Sequence, residues 1–258
     1  MGYTIFNKEN LILKLIGPLS KILDYDDEAF FVFDGCTDNS FKVFEQAKNL
    51  LRCEVNVRVF EKDQFEVKSN NVILKNAKHD VIALFQDDII LNDRLFRTKI
   101  FDIFDSFPDK SKIGLMGGRS GFEFETTEFP EKPTQKVSNW EHLPNQYGEK
   151  LALNEWKVRT FLNRGPLVFT KSLIDEVGYL DEGYYPQWGD DMDYCARAHY
   201  LRGRNNIVFE CAVKSELSWG GTRQSDSKLR KGRHYKPNWE LFVSKWGGYI
   251  NENTVKYI

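Results

Sequence analysis

Three aspartates lie within four positions of the stretch WGDDMDYCAR, namely Asp190, Asp191 and Asp193. These aspartates lie where the sequence pattern predicts the start of a helix. Carboxylates gathered at one place suit proton transfer to or from a substrate, or the orientation of a hydroxyl group near a cation. Capping one helix needs fewer acids, because the helix dipole stabilises negative charge by only about 0.3–1 kcal/mol.

Two further acidic sites follow short apolar runs. Asp34 comes directly after AFFVF, and Asp87 and Asp88 follow VIALFQ. Both runs are typical of buried strands, and parallel strands of an α/β sheet bring their carboxyl ends to one edge, where ligands bind. Adjacent acids repel one another unless a cation compensates. A divalent metal that carries phosphate oxygens is the usual solution.

Each acidic site also has a structural interpretation. Asp34 with Gly35 is a common turn dipeptide. Asp190 can be the N-cap of a helix, with Asp193 completing a box-like pair three residues later. The acidic pair after the second run can cap the next helix. The joint occurrence of the three sites favours a functional site over three unrelated caps and turns.

Helical and strand patterns alternate along the chain, which predicts a mostly parallel sheet covered by helices on both faces. Residues 119–160 break this rhythm and predict a long, functional loop or a small antiparallel excursion. The structure of the last forty residues is not predicted. The predicted helices span 11–23 (bent or divided at Pro18), 41–51, 66–78, 93–107, 171–178 and 190–202. The predicted strands span 29–33, 55–61, 81–85, 113–118, 167–170 and 206–210.

Composition limits the classes of function. A length of 258 residues fits one large domain or at most two small ones. The net charge of −2 gives no reason to expect nucleic acid or an anionic membrane as a partner. The four cysteines form no CxxC pair, which indicates free thiols in a reducing compartment. With no secretory signal and no uninterrupted apolar span, we expect a cytoplasmic protein without a transmembrane segment, and peripheral membrane association stays open.

The chain resembles a family-2 glycosyltransferase with the GT-A fold. The likeness covers most of the chain in family order, and residues 165–198 are its most specific part. The resemblance implies one GT-A domain with a short or truncated first strand, a nucleotide-binding half at about 1–118 and an acceptor-binding half at about 119–258. The motifs that carry it are IFNKENLI, FVFDGCTDNS, VIALFQDDI, GPLVFTKSLIDEVGYLDEGYYPQWGDDMDYCARA and FVSKWGG.

The resemblance also implies how a nucleotide-sugar donor is held. Asp34 corresponds to the acid that contacts the nucleotide base. The tripeptide QDD stands at the DxD motif of the family, so Asp88 would ligate the Mn²⁺ or Mg²⁺ ion that bridges the diphosphate. Gln86 would make a neutral hydrogen bond, often to the ribose, and Asp87 occupies the variable position between them.

On the acceptor side, Asp190 and Asp191 align with the Glu-Asp step of the family. Asp191 would be the general base on the acceptor hydroxyl, and Asp190 would orient the acceptor. Trp188 adjoins the base, and both stacking on a sugar and plain core packing are open for its ring.

Four departures from the family pattern are visible. Gln86 replaces the first aspartate of the DxD motif, and Phe33 stands where many relatives carry another aspartate. The first strand is nearly absent, because YTIFNKE begins where the family strand is already ending. The usual metal-binding histidine is not evident, and His234 is a substitute candidate whose alternative interpretation is a solvated surface residue.

The resemblance implies an inverting, metal-dependent glycosyltransferase that transfers sugar from a nucleotide sugar, with UDP-sugars favoured, to a hydroxyl of a carbohydrate or glycoconjugate acceptor. Residues 119–160 are expected to set the acceptor. A sugar nucleotidyltransferase is one alternative, although the chain has no Gly-rich phosphate loop near the first strand. A catalytically silent carbohydrate- or nucleotide-binding protein is the other; Gln86 is compatible with it, but the presence of both Asp88 and Asp191 argues against it.

Overall fold

The computed structural model describes residues 1–118, 120–123, 151–186, 188–215 and 235–254. Within them the chain alternates strands and helices through its first half. The helices are α1 (Ile12–Leu19), α2 (Ser40–Ala47), α3 (Phe65–Asn76), α4 (Phe96–Ser106), α5 (Lys171–Val177), α6 (Asp190–Ala196) and α7 (Tyr235–Thr254). The strands are β1 (Gly2–Ile5), β2 (Glu28–Asp34), β3 (Glu54–Phe60), β4 (Val81–Gln86), β5 (Ile89–Leu91), β6 (Ile113–Gly117), β7 (Ser120–Phe122), β8 (Trp156–Arg159), β9 (Phe161–Asn163), β10 (Leu167–Thr170), β11 (Asn205–Phe209) and β12 (Val213–Ser215).

Eight of these strands form one sheet in the order β3-β2-β1-β4-β10-β6-β11-β8. The first four are parallel to one another, as are β6 and β11, while β10 and β8 run antiparallel to their neighbours. Two antiparallel ribbons, β5 with β12 and β7 with β9, flank the sheet. The predicted α/β fold with a mostly parallel sheet flanked by helices is confirmed, with two antiparallel members in the sheet.

The apolar runs became central strands because both faces of the sheet are covered. All seven residues of β2 are buried. Alternate side chains enter opposite cores, since successive residues of a strand point to opposite faces. Phe31 and Phe33 join the core that contains α1 and α2, whereas Phe30 and Val32 join the core that contains α3, α6 and α7.

The first strand is short, as the sequence predicted, but it is a full member of the sheet. β1 has four residues, against seven in β2, and pairs in parallel with β2 on one side and β4 on the other. The expectation that this strand is nearly absent was therefore wrong. Its central position places the residues that follow it between the ends of β2 and β4.

Several elements end earlier than the hydrophobic spacing predicts. α1 stops at Leu19, one residue beyond Pro18, because proline removes a backbone donor inside the helix. The predicted helix 190–202 is α6 followed by a wider turn at Arg197–Leu201. The twenty-residue α7 lies in the region left without a prediction.

In the described part of the chain, no helix combines the length and the apolar character needed to cross a bilayer.

Candidate active site

The ends of β1, β2 and β4 meet at one edge of the sheet, because these neighbouring strands are parallel. Asp34 is the last residue of β2 and Gln86 is the last residue of β4. Asp87 and Asp88 follow Gln86 directly, in the turn that leads to β5. The structure therefore brings the two strand-end acidic sites of the sequence to the same edge.

Asp87 is held by the chain that leaves β1. Its Oδ2 accepts a hydrogen bond from the Phe6 backbone N–H at 2.9 Å and lies 2.9 Å from the Lys8 ammonium. The pKa of the Asp87 carboxyl is raised to about 6. Burial is the largest cause, Lys8 opposes it, and the neighbouring Asp88 adds to the increase. Lys8 is buried and compensates part of the charge at this edge. It is a residue that the sequence reasoning missed.

Asp88 offers a half-buried carboxylate beside Asp87. Among the residues described, no group of three histidine, cysteine or acidic side chains is arranged to hold a metal ion. The donor chemistry nevertheless fits a hard divalent cation, since Mg²⁺ is commonly bound by one or two carboxylates together with substrate phosphates and water. Asp88 is thus the residue that could hold Mn²⁺ or Mg²⁺, with the remaining ligands supplied by a diphosphate.

Asp34 joins the end of β2 to the beginning of α3. Its Oδ1 accepts from the Gln64 backbone N–H at 2.6 Å, and its Oδ2 accepts from the Phe65 N–H at 2.9 Å. Phe65 has a φ of 65°, a conformation that a bulky residue seldom adopts without support. Gly35 passes so close to the same loop that a Cβ would lie 2.6 Å from the Asp63 nitrogen. Asp34 therefore does more than make the turn predicted for Asp-Gly.

The loop DGCTDNS is tied to the loop that follows β1. Asn7 Oδ1 accepts backbone N–H bonds from Thr37 and Asp38, at 2.8 and 3.3 Å. Glu9 Oε2 accepts from the backbone N–H and the side-chain amide of Asn39. These bonds fix the two loops against each other beside Asp34 and Asp87.

A second cluster lies around Arg164, which directly precedes Gly165 and is buried. Its Nη1 lies 2.7 Å from Glu66 Oε1, and its Nη2 donates to Asp190 Oδ2. The Arg164 backbone N–H donates to Asp191 Oδ2 at 3.2 Å, and Nε lies 3.8 Å from the same oxygen. One guanidinium therefore contacts carboxylates from α3 and α6.

This cluster reaches the end of β4 through Glu66. Gln86 Nε2 donates to Glu66 Oε1 at 3.2 Å, and the same carboxylate oxygen pairs with Arg164. Gly165, at a φ of 99°, passes within reach of Gln86, since a Cβ there would lie 3.4 Å from Gln86 Oε1. The acidic start of α6 and the edge of the sheet are thus joined by a continuous chain of polar contacts.

The carboxyl group of Asp190 is fully buried. Burial raises the pKa of its carboxyl to about 7, Arg164 lowers it, and the nearby Asp191 and Glu66 raise it. Within the described structure its Oδ1 accepts no hydrogen bond. Burial alone would lower the pKa of the Arg164 guanidinium, but the surrounding carboxylates raise it above its ordinary value, so the arginine stays charged.

Asp190 is not the N-cap of α6. Gly189 holds that position, with a φ of 92°, and no side chain caps the helix. Asp191 is almost as buried as Asp190, and its Oδ1 accepts from the Met192 N–H at 2.9 Å. Asp191 is therefore held by two backbone N–H groups and Asp190 by the Arg164 guanidinium, and neither carboxylate caps α6.

Asp193 belongs to a different network. Its Oδ1 accepts from the Tyr184 hydroxyl at 3.2 Å, from Lys245 Nζ at 2.9 Å and from Trp246 Nε1 at 2.9 Å. Its Oδ2 accepts from Arg197 Nε at 2.8 Å. Asp193 anchors α7 to α6, so the third aspartate of WGDDMD has a structural role.

Trp188 lies immediately before this helix and is partly buried. The Trp188 ring is 5.9 Å from that of Trp239 on α7, and the Trp188 backbone has a φ of 83°.

His234, the candidate metal ligand, lies outside the described residues, as does most of the segment 119–160. The described parts of that segment contain β7 and β8, which pair in antiparallel fashion with β9 and β11, so the choice between a long loop and an antiparallel excursion stays open for the remainder.

Lys8, Glu66, Arg164 and Asn7 were missed because their roles depend on partners far away in the chain. Glu66 and Arg164 are separated by 98 positions of sequence, and no local spacing marks them as a pair. The available sequence signal was weak. Arg164 stands next to a Gly-Pro step before an apolar strand, and Lys8 stands just after the first apolar strand.

Comparison with known proteins supports the fold. No family model matches the chain, and no curated protein matches it by sequence. Among solved structures, S. aureus TarS aligns with a TM-score of 0.57 at 16% identity, over 95% of this chain and 42% of that one. GalNAc-T7 with UDP, GalNAc and Mn²⁺ gives a TM-score of 0.59 at 12% identity, over 94% and 50%.

A third match is the mannosyltransferase PcManGT from Pyrobaculum calidifontis in complex with GDP-Man and Mn²⁺. It has a TM-score of 0.55 at 10% identity, over 99% of this chain and 72% of that one. The chain spans about half the length of the TarS and GalNAc-T7 structures. At these identities the matches show a GT-A glycosyltransferase-like fold, which is the fold that the sequence predicted.

Proposed function

We propose that this GT-A-like chain is an inverting, metal-dependent family-2 glycosyltransferase that moves a sugar from a nucleotide sugar, a UDP-sugar by preference, to a hydroxyl of a carbohydrate or glycoconjugate. Residues 1–118 form its donor half, and residues 119–258 form its acceptor half. Solved relatives in fold contain UDP with Mn²⁺, GDP-Man with Mn²⁺ and UDP-GlcNAc, which supports a nucleotide-sugar ligand.

The observation that carries the proposal is the chain of contacts from Gln86 through Glu66 and Arg164 to Asp190 and Asp191. It ties the acid pair to the edge of the sheet where strand-end carboxylates gather. A transferase needs these two groups at one place, since the base must act on an acceptor that attacks a donor held at that edge.

On the donor side, Asp34 contacts the nucleotide base, and Gln86 and Asp87 contact the ribose and diphosphate region. The two backbone N–H bonds that Asp34 accepts hold its carboxylate in place at the end of β2. Asp88 would hold the metal ion. Bound there, Mn²⁺ or Mg²⁺ would stabilise the charge that develops on the leaving diphosphate.

On the acceptor side, Asp191 takes the proton of the acceptor hydroxyl while the hydroxyl oxygen attacks the anomeric carbon. The bond from that carbon to the diphosphate oxygen breaks from the opposite face, so the configuration inverts. The Arg164 guanidinium offsets the charge of the acid cluster, and its backbone N–H orients Asp191. Asp190 and Trp188 position the acceptor.

Asp191→Asn tests the assignment of the base. The amide keeps the shape of the carboxylate but cannot accept the proton, so turnover should fall at least about 10²-fold, the usual scale of general-base help. Donor affinity should survive, because the donor is held at the strand ends. We would measure released nucleoside diphosphate over a panel of UDP- and GDP-sugars with Mn²⁺, and nucleotide binding by calorimetry.

Asp190→Asn is the matched control, since it changes the neighbouring carboxylate in the same way. It should raise the acceptor KM more than it lowers kcat. Near-wild-type kcat in Asp191→Asn, or equal loss of turnover in both variants with a lowered Tm, would contradict the assignment and leave the pair with a structural role.

One observation favours a second candidate, a GT-A-like protein that binds nucleotide sugars without turnover. The Lys8 ammonium offsets the negative charge of Asp87 beside Asp88. The negative charge left at this site therefore attracts a metal ion less strongly. A sugar-nucleotide panel separates the two functions. A transferase releases nucleoside diphosphate slowly even without acceptor, whereas a binding protein shows calorimetric binding and no release.

A further inference from the structure

The segment before α6, described at residues 184–186 and 188–189, has an unusual backbone at its end. Trp188 and Gly189 both have positive φ, 83° and 92°. Glycine tolerates this conformation, but for a bulky aromatic residue it is a genuine outlier that persists only where the surroundings enforce it. Such backbone strain indicates a functional role for the segment, which leads directly into Asp190 and Asp191.

The enforcing contact comes from α7. Asn238 is buried, and its Nδ2 donates to the Tyr184 carbonyl at 2.9 Å and to the Trp188 carbonyl at 3.0 Å. One amide nitrogen therefore bridges the two ends of the segment. The next residue of the helix, Trp239, places its ring 5.9 Å from that of Trp188.

The segment has little room to move independently. A Cβ on Gly189 would lie 3.0 Å from the Tyr184 ring, so the entry to α6 is packed against the start of the segment. Asp193 attaches α7 to α6 one turn later, through Lys245 and Trp246. A displacement at Asn238 thus reaches Trp188 directly, whereas the strand ends are reached only through the further contacts of Asp190 with Arg164, Glu66 and Gln86.

We propose that Asn238 is a positioning residue for acceptor binding, which sets the placement of Trp188 and of the first turn of α6 against a sugar acceptor. This inference rests on the proposed transferase function. It separates the two substrates: α7 controls the acceptor side, whereas the donor is held by strand ends that Asn238 reaches only through those further contacts.

Asn238→Asp is the sharpest test, because it preserves size and shape but replaces both hydrogen-bond donors with an acceptor that faces two carbonyls. The acceptor KM should rise at least about tenfold, and the donor KM should stay within about twofold. The probes are UDP-sugars with Mn²⁺ and a panel of para-nitrophenyl monosaccharides as acceptors. A purely structural role would lower the Tm and the yield of active protein without a selective change in acceptor KM.

Ile250→Ala provides the matched control. Ile250 is buried on the same helix, about 18 Å further along, so its truncation loosens α7 without touching the segment. It should lower the Tm but leave the acceptor KM unchanged. An acceptor KM that rises equally in both variants, or that stays constant in Asn238→Asp, overturns the proposal.

A readout without turnover keeps the inference separate from the proposed function. In protein labelled with 5-fluorotryptophan, the ¹⁹F line of Trp188 is assigned by its loss in Trp188→Phe. It should shift or broaden in Asn238→Asp and stay in place in Ile250→Ala, and an unchanged line in Asn238→Asp overturns the positioning role. If the wild-type protein turns over no sugar nucleotide, the proposed transferase function fails, whereas the ¹⁹F line still decides whether Asn238 positions Trp188.

Discussion

Arg164 determines how much negative charge the acid cluster can hold. A single guanidinium contacts Glu66, Asp190 and Asp191, so the carboxylates outnumber their cation within this group. Buried charges are tolerated when they are paired and costly when a partner is removed, by about 3–5 kcal/mol. The charge state of the cluster is therefore expected to depend on pH.

The free energy of unfolding should respond to the ionisation of Asp190. Its folded-state pKa of about 7 lies above the ordinary 3.8, so between these values the folded protein holds more protons than the unfolded chain. Stability contributed by this group is present at low pH and is lost as pH rises through about 4 to 7. Urea unfolding of the wild type and Asp190→Asn over this range should show the difference moving in favour of the variant as pH increases. Parallel pH curves would contradict the buried, ionising Asp190.

Metal-dependent nucleotide binding should depend on Asp88. Asp88→Asn removes the carboxylate proposed to link the cation to the protein, so the affinity for UDP in the presence of Mn²⁺ should fall to that measured in EDTA. Asp87→Asn is the matched control and should be milder, since Asp87 is already bound by Lys8 and the Phe6 N–H. Calorimetry that gives equal Mn²⁺-dependent affinity in the wild type and Asp88→Asn would remove Asp88 from the metal site.

At the scale of elements, Asp34 links β2 to α3 through two backbone N–H groups. Asp34→Ala removes the acceptor of the Gln64 N–H, whereas the Phe65 N–H keeps Asp63 Oδ1 at 3.0 Å, so the variant should destabilise the fold by about 1–3 kcal/mol. If Asp34 also contacts the nucleotide base, the donor KM should rise more than kcat falls, because such a contact is made equally in the ground and transition states.

Asp34→Asn separates the two roles of Asp34. The amide oxygen still accepts one of the two backbone bonds, so urea unfolding should show a smaller loss of stability than in Asp34→Ala. Calorimetry with UDP gives the second measurement. Unchanged UDP affinity in both variants, together with reduced stability, would confine Asp34 to its structural role.

At the scale of the molecule, one eight-stranded sheet carries both the strand-end acids and the strand that follows Arg164. A ligand at the edge of this sheet should stabilise the whole fold, because only the folded chain assembles the site. UDP with Mn²⁺ at about 100 times its Kd contributes about 2.7 kcal/mol, which corresponds to a Tm increase of about 5–10 °C for a chain of this size. Thermal melts with UDP alone, Mn²⁺ alone and both together provide the check. A shift that survives EDTA or Asp88→Asn would contradict binding through the metal.

The sequence by itself determined most of the fold. The apolar runs at 29–33 and 81–85 identified β2 and β4, because a strand covered on both faces is apolar along its length. The polar residues at the ends of those runs identified Asp34, Gln86, Asp87 and Asp88 as neighbours. Helix α7 was also within reach, since Trp239, Phe242, Trp246 and Ile250 recur at helical spacing, although two adjacent glycines interrupt the pattern.

Only the tertiary structure decided which charges are partners. The hydrophobic periodicity of a segment depends on near neighbours, whereas the ion pair of Arg164 with Glu66 exists because α3 and the loop before β10 meet beside β4. The same holds for Lys8 with Asp87, which depends on β1 lying between β2 and β4. The three aspartates of WGDDMD look equivalent in sequence, but the helix turns Asp193 towards α7 while Asp190 and Asp191 meet Arg164. Folding separates their roles, because a difference of two or three positions on a helix changes the face on which a carboxylate lies.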